Sequence, residues 1–156
     1  MSWKDVALMI TATAAVVSIG LNIFQDITKR KEHRRQIKVT VRIGFFDLST
    51  GLSETVLFLE AGNAGATPIT ISSCGVILPD KRKLIFTHPQ SNVKLPHELM
   101  PGKSCTCWIA IDGFARQLKE EGFNSRQNIV GYYSDQLNRE HRSKAVKFNV
   151  DEWIEG

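Results

Sequence analysis

The first quarter of the chain contains a long uncharged run. Residues 6–24 are nineteen residues without a charge, which as a helix would be about 28 Å long, close to a hydrocarbon core of about 30 Å. Apolar side chains surround the helix axis and leave no polar face, so the pattern disfavours a soluble amphipathic helix. We therefore predict an N-terminal transmembrane helix in residues 1–25.

Small and polar side chains interrupt this predicted span. They recur four residues apart, which permits close approach of two helices in a membrane. We predict self-association of the span through Thr11, Ala14, Ala15, Ser18 and Asn22. A cleaved signal peptide is the alternative interpretation. It would require an unusually weak positive charge before the apolar run and a dense basic block just past the cleavage site.

Basic residues directly follow the span. Residues 1–38 carry seven basic and three acidic side chains, whereas the remainder carries 13 of each sign, so this segment accounts for the formal net charge of +4. Basic flanks stay in the cytoplasm, which predicts a single-pass protein of the inner (plasma) membrane with its N-terminus outside and its C-terminal domain cytoplasmic. The lipid bilayer is thus a predicted partner, and nucleic acid is not, because the neutral remainder carries no clustered charge.

Residues 26–36 have neither glycine nor proline and can continue the helix as a juxtamembrane stalk. A cationic stalk lies against anionic headgroups. The predicted headgroup contacts are Lys29, Arg30, Lys31, Arg34 and Arg35. A flank that only stops membrane transfer is the simpler alternative for the same residues.

Residues 37–156 have the pattern of a mainly β domain. Apolar residues alternate with polar ones from Ile37 to Phe45, as in a half-buried strand over residues 37–47. Further strands are predicted at 54–60, 69–78 with a bulge at Gly75, 83–87, 104–111, 128–134 and 143–150, and a short helix at 113–121. Asp112 is its predicted N-cap and Gly122 its C-terminal stop, whereas residues 88–99 look irregular. This predicts an antiparallel β-sandwich of about seven strands with one short helix.

Two turn motifs in this domain resemble those of small bacterial immunoglobulin-like sandwich domains. Asn63-x-Gly65 precedes a strand that begins Pro68-Ile69-Thr70-Ile71, and Leu99-x-Pro101-Gly102-x-Ser104 leads into another strand. The resemblance covers residues 37–150 and implies an immunoglobulin-like sandwich. Because both motifs are turn chemistry, it implies no activity.

Candidate chemistry in the sequence is sparse. Cys74, Cys105 and Cys107 have neither a CxxC pair nor a zinc-like spacing, which favours reduced, buried thiols. No phosphate-binding, zinc-protease or serine-hydrolase motif occurs. A thiol nucleophile would need Cys107 beside His97 or His141, and the sequence does not bring either pair together. We therefore expect no catalytic site, metal or cofactor.

These features together favour a membrane-anchored, non-enzymatic interaction or scaffold module. It would present its cytoplasmic β domain to a protein partner, with Tyr132, Tyr133 and Trp153 as candidate aromatic contacts, or with Trp153 closing the open end of the sandwich. The alternative is a membrane-acting effector whose transmembrane helices oligomerise when the β domain senses a ligand or partner. Small anchored β domains of bacterial defence resemble that organisation.

Overall fold

The computed structural model describes residues 21–25 and 36–154. The chain divides into two compact units, Met1–Arg34 and Arg35–Gly156. In the first unit, residues 21–25 are helical and exposed. Within the two described ranges, no helix is both long and apolar enough to span a membrane. The predicted transmembrane helix, residues 1–25, lies outside these ranges except for residues 21–25, and so does the predicted stalk except for Gln36.

The second unit is mainly β, and its strands pair antiparallel throughout residues 36–154. One α-helix interrupts the strands, and a turn of 3-10 helix follows them. The elements are β1 Ile37–Gly44, β2 Asp47–Leu48, β3 Gly51–Leu52, β4 Val56–Asn63, β5 Ile69–Ile77, β6 Lys83–Ile85, β7 Gln90–Ser91, β8 His97–Leu99, β9 Ser104–Ala110, α1 Ile111–Glu120, β10 Arg126–Asp135, β11 Glu140–Arg142, β12 Val146–Asn149 and the 3-10 turn Asp151–Trp153.

These strands form two main sheets and a small hairpin. The first sheet has the order β1-β4-β9-β7, and the second has the order β11-β10-β5-β6, with β12 beside β10 and β8 beside β5. The sheets face each other closely, because a Cβ atom on Gly131 of β10 would lie 2.4 Å from Cγ2 of Val41 in β1. The prediction of a mainly β, antiparallel fold is confirmed, in a sandwich-like arrangement.

The core lies between the sheets and is closed by α1. Leu57, Leu59, Ile71, Val76 and Tyr133 are fully buried there. The helix buries one stripe, Ile111, Phe114, Ala115 and Leu118, as an amphipathic helix on a core does.

Helix α1 differs from its prediction at its start. It begins at Ile111, so Asp112 lies in the first turn, where its carboxylate accepts a hydrogen bond from Arg116 at 3.0 Å. The predicted N-cap is therefore wrong, since Ala110 holds that position without a side-chain bond. The predicted stop is confirmed, because Gly122 has a φ of +89°, a conformation that favours glycine.

Several strand predictions also change. The strand predicted at 143–150 is present in shortened form as β12 and pairs with the start of β10, whereas β11 lies between the strands predicted at 128–134 and 143–150 and was not predicted. Residues 88–99 hold the short strands β7 and β8. Gly75 is not a bulge; the register shift between β5 and β10 lies at Ser134 and Asp135. Each difference depends on the strand with which a segment pairs, and the local sequence does not specify that strand.

The second unit has two ends, which we name by the path of the chain. The described part of this unit begins at Gln36, and we call the end of the sandwich at Gln36 the entry end. At this end β1, β5 and β9 begin, and β4 and β10 end. The hairpin β2–β3 and α1 follow the finishes of β1 and β9, and we call that side the far end. The loops of the entry end are residues 64–68, 100–103 and 136–139.

Asn63 joins the two motifs that carry the immunoglobulin-like resemblance. Its side chain is buried, and its Nδ2 donates to the carbonyl oxygens of Thr67 and Leu99 at 2.9 and 2.8 Å, while its Oδ1 accepts from the Gly65 N–H at 3.0 Å. The Gly102 N–H donates to the Asn63 carbonyl oxygen at 2.8 Å. The two turns are therefore one hydrogen-bonded unit at the entry end.

Asp135 holds the β10–β11 turn through a buried carboxylate. Burial alone would raise the pKa of this carboxyl, but hydrogen bonds from the Arg139 N–H, from His141 and from the Leu137 N–H hold the pKa below its usual value. The resulting stabilisation is complete above the unfolded-state pKa, about 3.9, and is lost as the pH falls through the folded-state pKa.

We expect Asp135→Asn to lower the free energy of unfolding at pH 7. The difference in this free energy between the variant and wild type should become smaller at pH 3, as measured by urea titrations of the full chain in detergent. A difference that stays constant between these pH values would contradict this assignment.

Candidate interaction surface

The far end carries an exposed apolar hairpin. β1 ends its pairing with β4 at Gly44 and Val56, so among the described residues no strand of that sheet pairs with the chain directly beyond Gly44. Phe45, Leu48 and Leu52 are 56, 49 and 65% exposed, and Ile43 is 38% exposed. We call these four residues the hairpin surface. Large apolar side chains concentrated in ten residues at one end of a domain mark an interaction site more often than scattered ones do.

Backbone and side-chain hydrogen bonds hold the hairpin in place. The Ser53 N–H donates to the Phe46 carbonyl oxygen at 2.9 Å, and the Phe46 N–H donates to Ser53 Oγ at 2.7 Å. Gly51 closes the predicted turn with a φ of +130°, which favours glycine. These hydrogen bonds fix the backbone that presents the hairpin surface.

An aromatic cluster on the outer face of the first sheet supports this hairpin. The Phe46 ring meets the rings of Phe58 and Trp108 edge-on, with both centroid distances 5.1 Å. The indole N–H of Trp108 donates to Gln90 Oε1 at 2.8 Å. Edge-to-face contacts add to the stabilisation from burial alone, so the cluster fixes the base of the hairpin. A shallow hollow of about 310 Å³ adjoins it, lined by Thr40, Arg42, Ile43, Gly44, Phe58, Glu60 and Thr106.

The charges beside the hairpin surface are negative. Asp47 and Glu54 are exposed, and neither forms an ion pair within the part of the chain that the structure describes. Arg42, the nearest cation in sequence, pairs with Glu60 at 3.4 Å. An apolar surface with free carboxylates at its rim fits a partner with apolar side chains flanked by basic ones.

The three cysteines form a buried group with Tyr133. All three are free thiols with no exposed surface, so the packing predicted for them as small apolar side chains is confirmed. The Tyr133 hydroxyl donates to the Leu59 carbonyl oxygen at 2.6 Å and accepts from the Cys107 N–H at 3.2 Å. Tyr133 thus bonds across the sandwich from β10 to β4 and β9.

The pKa values of these thiols follow from burial and mutual contact. Burial raises the pKa of Cys105 to about 11. The hydrogen bond between Cys74 and Cys107 is the largest cause that raises the pKa of Cys74, and burial is the second. The same hydrogen bond lowers the pKa of Cys107. None of the groups that shift these values is a cation, and no sulfur reaches solvent. The group therefore lacks the exposure and the positive charge of a reactive thiol.

The histidines considered in the sequence have other positions. His141 Nε2 lies 3.3 Å from Asp135 Oδ2, and His97 lies in β8 opposite Ile71. Two open hollows of about 410 and 350 Å³ flank residues 85–89, and their linings contain His88 and Lys94 but no carboxylate. Within residues 21–25 and 36–154, no three His, Cys, Asp or Glu side chains are grouped to hold a metal ion.

The predicted aromatic patch is corrected by the structure. Tyr132 is 2% exposed and Tyr133 is fully buried, so neither contributes to a surface. Tyr132 lies against Gly75 on the neighbouring strand, and Trp153 packs on the core, as its alternative prediction had it. The alternation of β1 predicts that Phe45 faces the core, and it predicts no role for Leu48 and Leu52. The sequence feature that could have indicated the hairpin surface is the position of these two leucines on either side of the turn at residues 49–51.

The predicted membrane contacts fall mostly outside the described residues. This applies to the headgroup residues Lys29, Arg30, Lys31, Arg34 and Arg35 and to Thr11, Ala14, Ala15 and Ser18 of the self-association set. Asn22 is described, and it is exposed in the helical residues 21–25. Self-association and headgroup binding of the stalk therefore stay predictions.

Comparisons with known proteins do not assign a family. No protein-family model matches the chain, and no curated protein sequence matches it. Among solved structures, it is similar to a chain of the archaeal flagellum of Methanospirillum hungatei strain JF1, with 12% identity, a TM-score of 0.43, and coverage of 96% of this chain and 93% of that one. It is also similar to the putative ApaA protein from Bordetella pertussis, with 11% identity, a TM-score of 0.34, and coverage of 73% and 91%.

Proposed function

We propose that this protein is a membrane-anchored, non-enzymatic binding module that presents the hairpin surface to a cytoplasmic protein partner. The observation that carries this proposal is the exposure of Phe45, Leu48 and Leu52 on a hairpin held by hydrogen bonds and an aromatic cluster. Pre-organised apolar side chains lose little conformational entropy on binding, so an exposed rigid hairpin favours recognition.

The chemistry around the hairpin defines the partner. Asp47 and Glu54 are the exposed charges of this segment, and both are acidic. The partner should therefore insert an apolar side chain between Phe45 and Leu52 and place Lys or Arg beside the two carboxylates. A second copy of this chain would bring its own Asp47 and Glu54 to the same place, and like charges oppose that pairing.

The anchor and the immunoglobulin-like arrangement belong to the same proposal. The uncharged run at residues 6–24 and the basic block after it support a single-pass span with the domain on the cytoplasmic side of the plasma membrane. The hydrogen bonds that join the two turn motifs at Asn63 support the immunoglobulin-like reading of the sandwich.

Site-specific photo-cross-linking in cells tests the proposed surface. A photoreactive phenylalanine analogue replaces Leu52 in the full-length chain, and the control replaces Ile85, which is 56% exposed on β6. We expect one protein to be cross-linked at position 52 and not at position 85. Asp47→Lys with Glu54→Lys should abolish that cross-link, because the pair reverses the charge at the rim. Equal products at positions 52 and 85, or a product that survives the charge reversal, would contradict the proposal.

Affinity for the cross-linked partner gives the size of the effect. Phe45→Ser removes a large anchor from the hairpin surface, and truncating such an anchor costs about 2 kcal/mol, roughly a thirtyfold loss in affinity. Purified full-length variants in detergent, titrated with the partner by calorimetry, measure this loss. Ile85→Ser should bind like wild type. An unchanged affinity of Phe45→Ser would place the binding site elsewhere.

A further inference from the structure

We propose that the entry end of the β domain binds the anionic lipid headgroups of the membrane that holds the span, so that the domain sits on the bilayer with its far end turned away. This inference rests on the anchor of the proposed function and adds a second contact with the membrane, made by loops of the domain.

The first observation is a pair of exposed apolar side chains at loop tips of the entry end. Met100 follows β8 and is 49% exposed, and Leu137 lies between β10 and β11 and is 58% exposed. β8 and β10 flank β5 on its two sides, at Ile69 and Ile71, so both loops leave the same end of one sheet. Two exposed apolar side chains at the same end of one sheet can enter the boundary between headgroups and acyl chains together.

The second observation is the charge around these two side chains. Lys38, Lys103 and Arg139 are exposed at the same end, and none of them forms an ion pair within the described ranges. The exposed acidic residue at this end is Glu98. Long basic side chains around apolar tips let the tips enter the membrane interface while the charges stay at the headgroups.

The loops are also fixed in position before any contact with lipid. Asn63 bonds to the carbonyl oxygens of Thr67 and Leu99, and the Lys103 N–H donates to the Met100 carbonyl oxygen at 3.1 Å. The Leu137 N–H donates to the buried carboxylate of Asp135 at 2.9 Å. The entry end therefore presents a fixed surface, and binding requires no folding of these loops.

Two arguments select an anionic bilayer as the occupant. Gln36, the first described residue of the domain, lies at this end and follows the basic residues 29–35 in the sequence, so the domain is tethered to the predicted span through this end. The hairpin surface has the free carboxylates Asp47 and Glu54 beside it, so anionic headgroups repel the hairpin, although the exposed basic residues Lys81, Arg126 and Lys147 also lie at the far end. Charge therefore favours the loop tips of the entry end over the hairpin surface as the lipid contact.

Depth-dependent fluorescence quenching of the full-length chain in nanodiscs tests this inference. An environment-sensitive fluorophore is attached at Leu137→Cys or, as the matched control, at Leu52→Cys, whose parent residue is 65% exposed at the far end. The native cysteines are fully buried and stay unlabelled. The nanodiscs contain phosphatidylglycerol with lipids brominated near the headgroup. We expect quenching at position 137 to be several-fold stronger than at position 52.

Charge removal separates headgroup binding from tethering alone. The triple variant Lys38→Gln, Lys103→Gln and Arg139→Gln, and purely zwitterionic nanodiscs, should each remove most of the quenching at position 137. Equal quenching at positions 137 and 52, or quenching that survives both changes, would overturn the inference. If the fluorophore at position 137 becomes shielded from solvent in detergent without lipid, and more so as the protein concentration rises, the entry end contacts a second copy of the chain. That result would also overturn the inference. A chain that fails to enter nanodiscs at all refutes the anchor instead, so the two failures are distinguishable.

Discussion

Gly75→Ala should be the most damaging single-methyl change in the β domain. A Cβ atom at Gly75 would lie 2.2 Å from the carbonyl oxygen of Leu84 and 3.0 Å from Cε1 of Tyr132. The nearest atom belongs to the backbone of β6, which pairs with β5 at this position, so relief requires movement of a strand. We expect a loss of about 3 kcal/mol in the free energy of unfolding, at the upper end of what overpacking costs.

Urea unfolding of the full-length chain in detergent, followed by tryptophan fluorescence, measures this loss. Gly62→Ala is the matched control, because Gly62 also lies in a strand and a Cβ atom there would have no neighbour within 4 Å. Its stability should stay within about 1 kcal/mol of wild type, since replacing an unstrained glycine mainly restricts the unfolded chain. Equal unfolding midpoints for the two variants would contradict the close packing of β5, β6 and Tyr132.

Asn63→Ala should destabilise the entry end by a comparable amount. The substitution removes two donated bonds and one accepted bond from a buried side chain, and it leaves the carbonyl oxygens of Thr67 and Leu99 without that donor. Each net hydrogen bond contributes about 1 kcal/mol, and a stranded buried group costs more. We expect a loss of about 3 kcal/mol in the same urea titration, with faster amide exchange at Gly65 and Gly102.

Asn63→Asp distinguishes hydrogen bonding from side-chain volume at this site. The aspartate keeps an acceptor for the Gly65 N–H but turns the donating amide into an oxygen facing two carbonyl oxygens. It should therefore be no more stable than Asn63→Ala, although it fills the space. Recovery of stability in Asn63→Asp would show that packing, not donation by Nδ2, holds the two turns together.

The sequence predicts the fold class because its signals are local. Alternation marks β1, the glycine at 122 marks the end of α1, and the turn at residues 49–51 marks the hairpin, and each of these is confirmed. Strand partners are not local. Residues 140–142 lie between two predicted strands, yet they form β11 because residues 132–134 of β10 pair with them.

The candidate site was only partly predictable for the same reason. The alternation of β1 continues to Phe45, which suggests a core residue, but the ladder to β4 ends at Gly44 and leaves that ring exposed. Tyr132 and Tyr133 look like surface aromatics, yet one covers Gly75 and the other reaches across the sandwich to Leu59. Exposure depends on what the opposite sheet covers, and no short stretch of sequence contains that information.

These features support the proposal that the domain binds at both of its ends. Basic and apolar loop tips at the entry end suit a membrane surface, and an apolar hairpin with acidic neighbours at the far end suits a basic protein partner. The buried cysteines, Tyr133 and Asn63 stabilise the sandwich that separates these ends.

Carbonate extraction of membranes from cells that express the full-length chain tests the proposed transmembrane anchor. Carbonate at high pH releases proteins that are held at the surface by charge and leaves transmembrane proteins in the membrane pellet. We predict that the full-length chain stays in the pellet and that a chain lacking residues 6–24 is released. Release of the full-length chain, or retention of the chain that lacks residues 6–24, would show that residues 6–24 do not anchor the protein in the membrane.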